Sequence, residues 1–228
     1  MEPELPRGMQ PPGGAMDRYA HGRVVHALLE HGARTGWPPP DPDLAARLLR
    51  REGAAGGRRE VERVVGLVEG FRASALCASL AGASLSPEAP FAFRAGGLLV
   101  RGEIDLLAEL DGEVLVLDYK SDRLEGAEPA ALMERYDVQR RIYALAALRA
   151  HRRPVRVAYV FLERPDAPVE ERFEPADTAA LAEELGALCG RIERREFAVT
   201  DAPRAELCFD CPARRRLCVH PTERTLAA

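Results

Sequence analysis

Two apolar-rich segments joined by Asp111-Gly112 constrain the fold of this chain more than any other feature of its sequence. The first segment, GLLVRGEIDLLAEL, covers residues 97–110, and the second, EVLVLDY, covers residues 113–119. An Asp-Gly pair between two such segments predicts a β-hairpin closed by a two-residue type I′ turn. In that register residue 110 faces residue 113, and each further pair lies one residue farther from the turn on both strands.

The predicted register brings four ionisable side chains together. Asp105 is expected to face Asp118 and Glu103 to face Lys120, and the alternation of strand residues puts all four on one face. Opposed residues lie about 4.5–5.5 Å apart at Cβ, where two carboxylates repel each other. Either one carboxylate is protonated or a cation lies between them, and oxygen ligands at this spacing suit Mg²⁺ or Mn²⁺. The alternative interpretation is a surface strand with scattered charges.

Lys120 is the only lysine of the chain, although Lys and Arg together number 32. A compact ammonium group can point at an attacking water or a phosphate oxygen, whereas a guanidinium group is broad and stays protonated. A divalent metal, a neighbouring lysine and a charged backbone ester together describe phosphodiester hydrolysis. Because a Walker A loop needs its own lysine and the only lysine lies in DYKSD, we expect no ATP binding by this chain.

The rest of the sequence predicts an α/β fold with a central mixed sheet flanked by helices. Asp17 is the expected N-cap of the first helix. Helices are predicted at 17–33, 42–52, 59–81, 128–150 and 176–195. Strands are predicted at 89–93, 97–110, 113–119, 155–163 and 168–173. We expect a disordered lead-in at 1–16, one domain at 17–199 (N-terminal helices at 17–85, core at 88–199) and a Cys-rich tail at 200–228 packed on that domain.

Composition restricts the functional classes. A net charge of −4 predicts no general affinity for nucleic acid, so DNA contacts would require locally concentrated arginines. The longest apolar runs are too short to span a membrane, and the N-terminus does not read as a secretory signal. Five cysteines, an odd number, then favour the reducing cytoplasm as the location of the protein.

Asp105 followed by Asp118-Tyr119-Lys120 resembles the acid, acid-x-lysine core of the PD-(D/E)XK nuclease superfamily. The similarity is closer to one branch, the RecB/AddA-type C-terminal nuclease domain of helicase–nucleases. HGRVVHALLE at 21–30 looks like the N-terminal helix of that branch, and EAPF at 88–91 looks like the strand before its hairpin. YDVQRRIYALAAL at 136–148 looks like its downstream Gln-x-x-x-Tyr helix. The motifs follow the order of that branch, and the resemblance covers most of residues 20–220.

The resemblance implies a restriction-endonuclease-like core and a Mg²⁺- or Mn²⁺-dependent deoxyribonuclease in double-strand break repair and recombination. The expected substrate is DNA, in the form of single-stranded ends cut by an exonuclease, and the expected partners are a helicase subunit or an AddB-like protein. One alternative is a non-catalytic nuclease-like module that binds DNA or acts as a scaffold in a helicase–nuclease complex. Another is a nuclease with a different target, such as RNA or a restriction site.

The resemblance also implies roles for individual residues. The expected catalytic residues are Lys120, Asp118 and Asp105. The expected metal ligands are His26, Asp105, Asp118 and the carbonyl of Tyr119. The residues expected to support the site or the substrate are Gln139, Tyr143, Tyr136, Arg140 and Glu103. Without the resemblance, His26 is more typical of a core histidine, and the tyrosines are equally typical of core packing.

The C-terminal tail contains Cys208-x-x-Cys211-x₆-Cys218, a plausible metal half-site. Some members of the branch hold a 4Fe-4S cluster with three such cysteines and a fourth that precedes the histidine helix. Here no cysteine precedes the histidine helix, so the fourth ligand would have to come from elsewhere in the chain. The candidates are Cys77, Cys189 and His220. An iron–sulphur cluster, a zinc ion and no metal all remain open for this tail.

Overall fold

A computed structural model describes residues 13–54, 56–121, 124, 126–208, 211, 213, 214 and 217–225. It confirms the predicted α/β fold, with a central sheet of five strands and helices packed against it. The chain divides into two units, Met1–Cys189 and Gly190–Ala228, and the first contains the whole sheet.

Each predicted strand and most predicted helices are present with shifted ends. The helices are α1 (Gly13–Thr35), α2 (Pro42–Arg51), α3 (Arg58–Ala73), α4 (Ala75–Ser79), α5 (Asp137–His151), α6 (Thr178–Glu193), α7 (Ala205–Cys208) and α8 (Thr222–Thr225). The strands are β1 (Ser84–Ala95), β2 (Leu98–Glu109), β3 (Val114–Lys120), β4 (Val155–Phe161) and β5 (Val169–Phe173). Two 3₁₀ segments, Pro129–Tyr136 and Pro175–Asp177, precede α5 and α6. Helix α1 thus begins inside the predicted lead-in, and Asp17 is not its N-cap.

The prediction of one helix over 59–81 was wrong. Ser74 has an extended backbone, and its hydroxyl accepts a hydrogen bond from the backbone N–H of Cys77 at 3.2 Å. A serine in this position caps the start of a new helix because its side chain satisfies a free N–H group. The segment therefore forms two helices, α3 and α4.

The strands follow one another in the sheet in the order β1-β2-β3-β4-β5, and β3–β4 is the parallel pair. The link between these two strands contains α5, as a parallel pair needs a long crossover. Strand β3 is buried from Val114 to Tyr119, because helices cover both faces of the sheet at this point. Its alternate residues belong to two hydrophobic clusters: Val116 faces α5 and α6, whereas Leu117 faces α1 to α4.

The β2–β3 hairpin has the predicted register near its turn. Glu109 pairs with Val114, and the ladder continues to the pair of Leu106 and Leu117. The predicted turn type was wrong, because only Gly112 of the two turn residues has a positive φ, 83°. A type I′ turn requires a positive φ at both central residues, so the turn is of another type although an Asp-Gly pair is compatible with type I′.

Candidate active site

The site forms where the regular pairing of the central strands is interrupted on both sides of β2. On one side, Pro87 pairs with Leu106 and Ala89 pairs with Ile104, so Glu88 stands opposite Asp105 without joining the ladder. The φ angle of Glu88 is 50°, in the left-handed region that side chains other than glycine rarely adopt. Such local strain is typical of functional positions.

On its other side, Asp105 fills a gap between β2 and β3. Beyond the pair of Leu106 and Leu117 the two strands separate, so the predicted ladder pairs of Asp105 with Asp118 and of Glu103 with Lys120 are not formed. The Asp105 carboxylate instead accepts a hydrogen bond from the Tyr119 backbone N–H at 2.7 Å. A side chain thus replaces a backbone acceptor, which fixes the Asp105 carboxylate between the two strands.

His26 of α1 points at the same place. Its Nδ1 lies 3.4 Å from Asp105 Oδ1, and its Nε2 lies 3.0 Å from the Tyr119 carbonyl oxygen. Burial lowers the pKa of His26, but the hydrogen bond and charge of Asp105, helped by Asp118 and Glu88, raise it above 6.5 overall. Helix α1 therefore places an imidazole ring beside a carboxylate and a carbonyl group.

Asp105, Asp118 and Glu88, which we call the carboxylate cluster, lie close enough together that ionisation of all three is unfavourable. Burial and then the charge of Asp105 raise the pKa of Asp118 to about 6, against the opposing effect of Lys120. Burial and then Asp105 also raise the pKa of Glu88. His26, Glu88 and Asp105 each offer a ligand atom within 4.8 Å of the others. One nitrogen and several carboxylate oxygens suit a divalent cation, whose charge would offset the repulsion.

Lys120 lies beside this cluster and is largely buried. Its Nζ is 2.6 Å from Asp118 Oδ2 and donates a hydrogen bond to Gln139 Oε1 at 3.2 Å. The same nitrogen lies 4.1 Å from the centre of the Tyr136 ring and 5.2 Å from that of Tyr159. The lysine nitrogen thus lies against one carboxylate and two aromatic faces.

A chain of hydrogen bonds holds the lysine in place. Gln139 Nε2 donates to the Tyr143 hydroxyl at 3.1 Å, and this hydroxyl donates to the Glu103 carbonyl oxygen at 3.3 Å. The Tyr159 hydroxyl donates to Gln139 Oε1 at 3.3 Å. Helix α5 thereby connects the end of β3 to β2 and β4 through side chains that are partly or fully buried.

The structure does not bring every predicted site residue into this cluster. The Arg140 guanidinium lies 2.7 Å from Asp137 and 2.8 Å from Glu171, so its positive charge is paired with two carboxylates. The Glu103 side chain is exposed, and Glu103 meets the network through its carbonyl group alone.

The tail cysteines belong to the second unit, and their environments differ. Cys208 is buried, Cys218 is partly buried and Cys211 is exposed. The Cys211 backbone N–H donates to the Cys208 carbonyl at 3.2 Å. Within the described residues they do not form a group of three with a common distance suited to a metal. A metal site in this tail stays a prediction.

Two residues of the cluster were not expected from the sequence. In the sequence Glu88 stands out only as part of EAPF, because a carboxylate on a separate strand carries no spacing signal that relates it to Asp105. Tyr159 lies within the apolar run of β4 and reads as a core residue. The parallel pairing of Asp118 with Tyr159 could have identified it only once the strand order was known.

The sequence is similar to known nucleases. The model of the PD-(D/E)XK nuclease superfamily matches residues 4–218. An ATP-dependent helicase/nuclease subunit of Alkaliphilus metalliredigens is 28% identical over 165 residues, which are 65% of this chain and 14% of that protein. The protein of the same name from Desulforudis audaxviator is 33% identical over 186 residues, 70% of this chain and 14% of that protein. The chain thus spans a small part of the length of these relatives.

The fold also matches a solved structure. A proposed exonuclease from Eubacterium rectale has a TM-score of 0.50 with this chain at 12% identity, over 97% of this chain and 79% of that one. At this identity the similarity concerns the fold alone. Separately, no helix of the described residues is long and apolar enough to cross a membrane.

Proposed function

Because this chain belongs to the PD-(D/E)XK nuclease superfamily, we propose that it is a metal-dependent deoxyribonuclease that cuts single-stranded DNA ends. The observation that carries this proposal is the convergence of His26, Asp105 and Asp118 next to the only lysine. An imidazole beside one carboxylate and an ammonium group beside a second, neighbouring carboxylate match the needs of phosphodiester hydrolysis.

The residues present fit a divalent cation. His26, Glu88 and Asp105, whose ligand atoms lie within 4.8 Å of one another, would hold it together with the Tyr119 carbonyl. Asp118, which lies outside that group and contacts Lys120, is a further candidate ligand. When bound, such an ion neutralises phosphate charge and lowers the pKa of a water molecule. We propose Mg²⁺ or Mn²⁺ because the donor atoms are mostly oxygens.

The protein's own side chains then orient and stabilise the reacting groups. Lys120, held by Asp118 and Gln139, presents an ammonium group beside the carboxylates, where it can orient the attacking water. The same positive charge stabilises the extra negative charge that develops on the phosphate in the transition state. Tyr143 and Gln139 restrict the motion of Lys120 and so act as positioning residues.

The similarity to helicase/nuclease subunits suggests a wider role. We propose that the chain works with a helicase subunit or an AddB-like protein in the repair and recombination of broken DNA in the cytoplasm. The 228 residues contain a single lysine and therefore no Walker A loop, so ATP hydrolysis would have to come from outside these residues.

The test is cleavage of end-labelled single-stranded and duplex DNA in Mg²⁺ or Mn²⁺. We expect the wild type to degrade single-stranded ends, and Asp118→Ala and Lys120→Ala each to lose at least about 100-fold in rate, as expected for removal of a main electrostatic group. Asp111→Ala is the matched control, because Asp111 lies in the same hairpin at the turn, away from the site.

The outcomes separate the two candidate functions. Equal rates in the wild type and both site variants would contradict the site assignment. A wild-type protein that binds DNA but does not cleave it with either metal would favour the scaffold module instead.

A further inference from the structure

Strands β1 and β2 extend beyond the carboxylate cluster as a two-stranded arm, residues 89–104. One side of this arm is covered, since Phe91, Phe93, Leu98 and Val100 pack against the hydrophobic cluster that includes α5. The opposite side, which we call the arm face, is exposed along its whole length. The arm face consists of Pro90, Ala92 and Arg94 on β1 and of Leu99, Arg101 and Glu103 on β2.

The arm face leads directly into the proposed active site. Glu103 and Pro90 form the ladder pair at the site end of the arm, and the next position along each strand toward the site on this face is Asp105 or Glu88. A polymer bound at the carboxylates along β2 would therefore continue over the arm face.

Two arginines of the arm face have free guanidinium groups. Within the described part of the chain, neither Arg94 nor Arg101 has a carboxylate or other hydrogen-bond partner for its side chain. In contrast, Arg140, Arg141 and Arg156 are each paired with carboxylates. Unpaired cations on a protein with net charge −4 are available for an anionic ligand.

The arrangement of these groups suits the backbone of a nucleic acid strand. Arg101 pairs with Ala92 and Arg94 with Leu99, so the two arginines are diagonal neighbours roughly 7–8 Å apart. Arg101 lies four residues from Asp105, roughly 13 Å along the strand. That span equals about four stacked nucleotides at roughly 3.4 Å each. Leu99, which pairs with Arg94 and is the next residue after Arg101 on the arm face, has 63% of its surface exposed and offers an apolar contact for a sugar or base.

We propose that the arm face binds the phosphate backbone of a single strand on one side of the cleavage point, through Arg101 and Arg94. The proposal rests on the proposed nuclease function and adds a substrate-binding surface to it. The arm face thereby holds the strand in register with the carboxylates, at a distance of a few nucleotides from the bond that is cut.

The first test measures binding of a fluorescent single-stranded oligonucleotide by anisotropy in EDTA, which prevents cleavage, over a range of salt concentrations. Each phosphate contact on a single strand contributes about 0.7 to the slope of log affinity against log salt. We expect Arg94→Gln and Arg101→Gln each to reduce the slope by about 0.7 and the double variant to reduce it by about 1.4.

Arg152→Gln is the matched control. Arg152 is exposed and has no side-chain partner among the described residues. It directly follows α5 and lies near the start of β4, whereas Phe161 at the other end of β4 pairs with Lys120. Arg152 is therefore far from the site along this strand. An unchanged slope in the double arm variant, or an equal decrease in Arg152→Gln, would overturn the proposal.

The second test separates the arm from the active site. For a long single strand we expect the double arm variant to have a higher KM and an unchanged kcat. For the p-nitrophenyl ester of thymidine monophosphate, too short to reach the arm, we expect unchanged kinetics. Equal KM values of wild type and variant for the long strand would overturn the arm proposal, whereas a wild type inactive on both substrates would contradict the nuclease function itself.

Discussion

At the scale of single residues, the environment of Lys120 distinguishes this site from a generic pair of acids. Tyr136 and Tyr159 stack with ring centroids 5.5 Å apart, and the ammonium group lies against both rings. Gln139 Oε1 accepts hydrogen bonds from both Lys120 and Tyr159. The lysine is therefore positioned by a fully buried tyrosine that lies on the neighbouring strand.

Tyr159→Phe tests this positioning role. The change removes one of two donors to Gln139 but keeps the ring, so the amide gains rotational freedom. A hydrogen bond contributes about 1 kcal/mol net, which corresponds to roughly a fivefold loss of rate. We expect kcat for DNA cleavage to fall by about that factor, with KM unchanged, in steady-state assays.

Tyr119→Phe provides the comparison. Its hydroxyl is also buried, yet it has no hydrogen-bond partner among the described residues. The backbone carbonyl and N–H of this residue are unaffected by the change. If both tyrosine variants lose the same activity, the effect of Tyr159 is not specific to its bond with Gln139.

At the scale of elements, the arm of β1 and β2 depends on a glycine. Gly102 pairs with Phe91, and a Cβ atom at residue 102 would lie 2.8 Å from the Phe91 ring. The ring is confined by Phe93 and by Tyr143, whose ring centre is 5.9 Å away. The glycine therefore allows an aromatic ring to lie across the strand and support Tyr143.

Gly102→Ala is expected to destabilise the protein by about 1–3 kcal/mol, because overpacking forces the ring or the backbone to move. Urea denaturation measures the change. Gly66→Ala is the control, since a Cβ at this position in α3 meets no atom within 4 Å. It should stabilise the helix by about 0.5–1 kcal/mol. Equal effects of the two substitutions would contradict the packing argument.

The elements that local chemistry specifies were predictable from the sequence. The Asp-Gly pair and the alternating apolar residues predicted the hairpin, and four pairs of its ladder have that register. The sequence did not reveal where the ladder ends, because the end depends on Asp105 replacing a backbone acceptor of Tyr119. Ser74 was a readable cap signal within an otherwise helical pattern, and the prediction missed it.

The site was less predictable because several of its contacts cross the chain. His26, Asp105, Asp118 and Lys120 could be named from motifs, and in the structure His26 contacts Asp105 while Lys120 contacts Asp118. Glu88 could not, since its proximity follows from the register of β1 with β2. Arg140 could not be excluded as a phosphate ligand without knowledge of Glu171, which lies on a distant strand.

At the scale of the whole molecule, two hydrophobic clusters on opposite faces of one sheet hold the first unit together. Cys77 belongs to the cluster under α1 to α4, and only 6% of its surface is exposed. Its burial raises the pKa of its thiol to about 11, against a smaller opposing effect of Arg72. Its thiolate is thus accessible to reagents only when the packing around it opens.

Thiol labelling should therefore report unfolding of this unit. A pKa about two units above 9.0 lowers the thiolate fraction at pH 8 roughly 100-fold, and burial blocks the reagent further. With iodoacetamide and EDTA at pH 8, we expect the exposed Cys211 to react and Cys77 to react only in denaturant. Peptide mass spectrometry identifies the labelled residue. Rapid labelling of Cys77 in native buffer would contradict the burial.

The unpaired position of Glu88 opposite Asp105 affects how the correctly folded fraction of a protein preparation can be measured. The pairing of β1 with β2 keeps the same register on both sides of this position. A β1–β2 hairpin paired in a register shifted by one residue would separate Glu88 from Asp105 and turn the arm face inward. Such a misfolded molecule would retain most of its secondary structure and look intact by circular dichroism. Specific nuclease activity would therefore count correctly assembled molecules in a preparation, a quantity that spectroscopy of the backbone cannot measure.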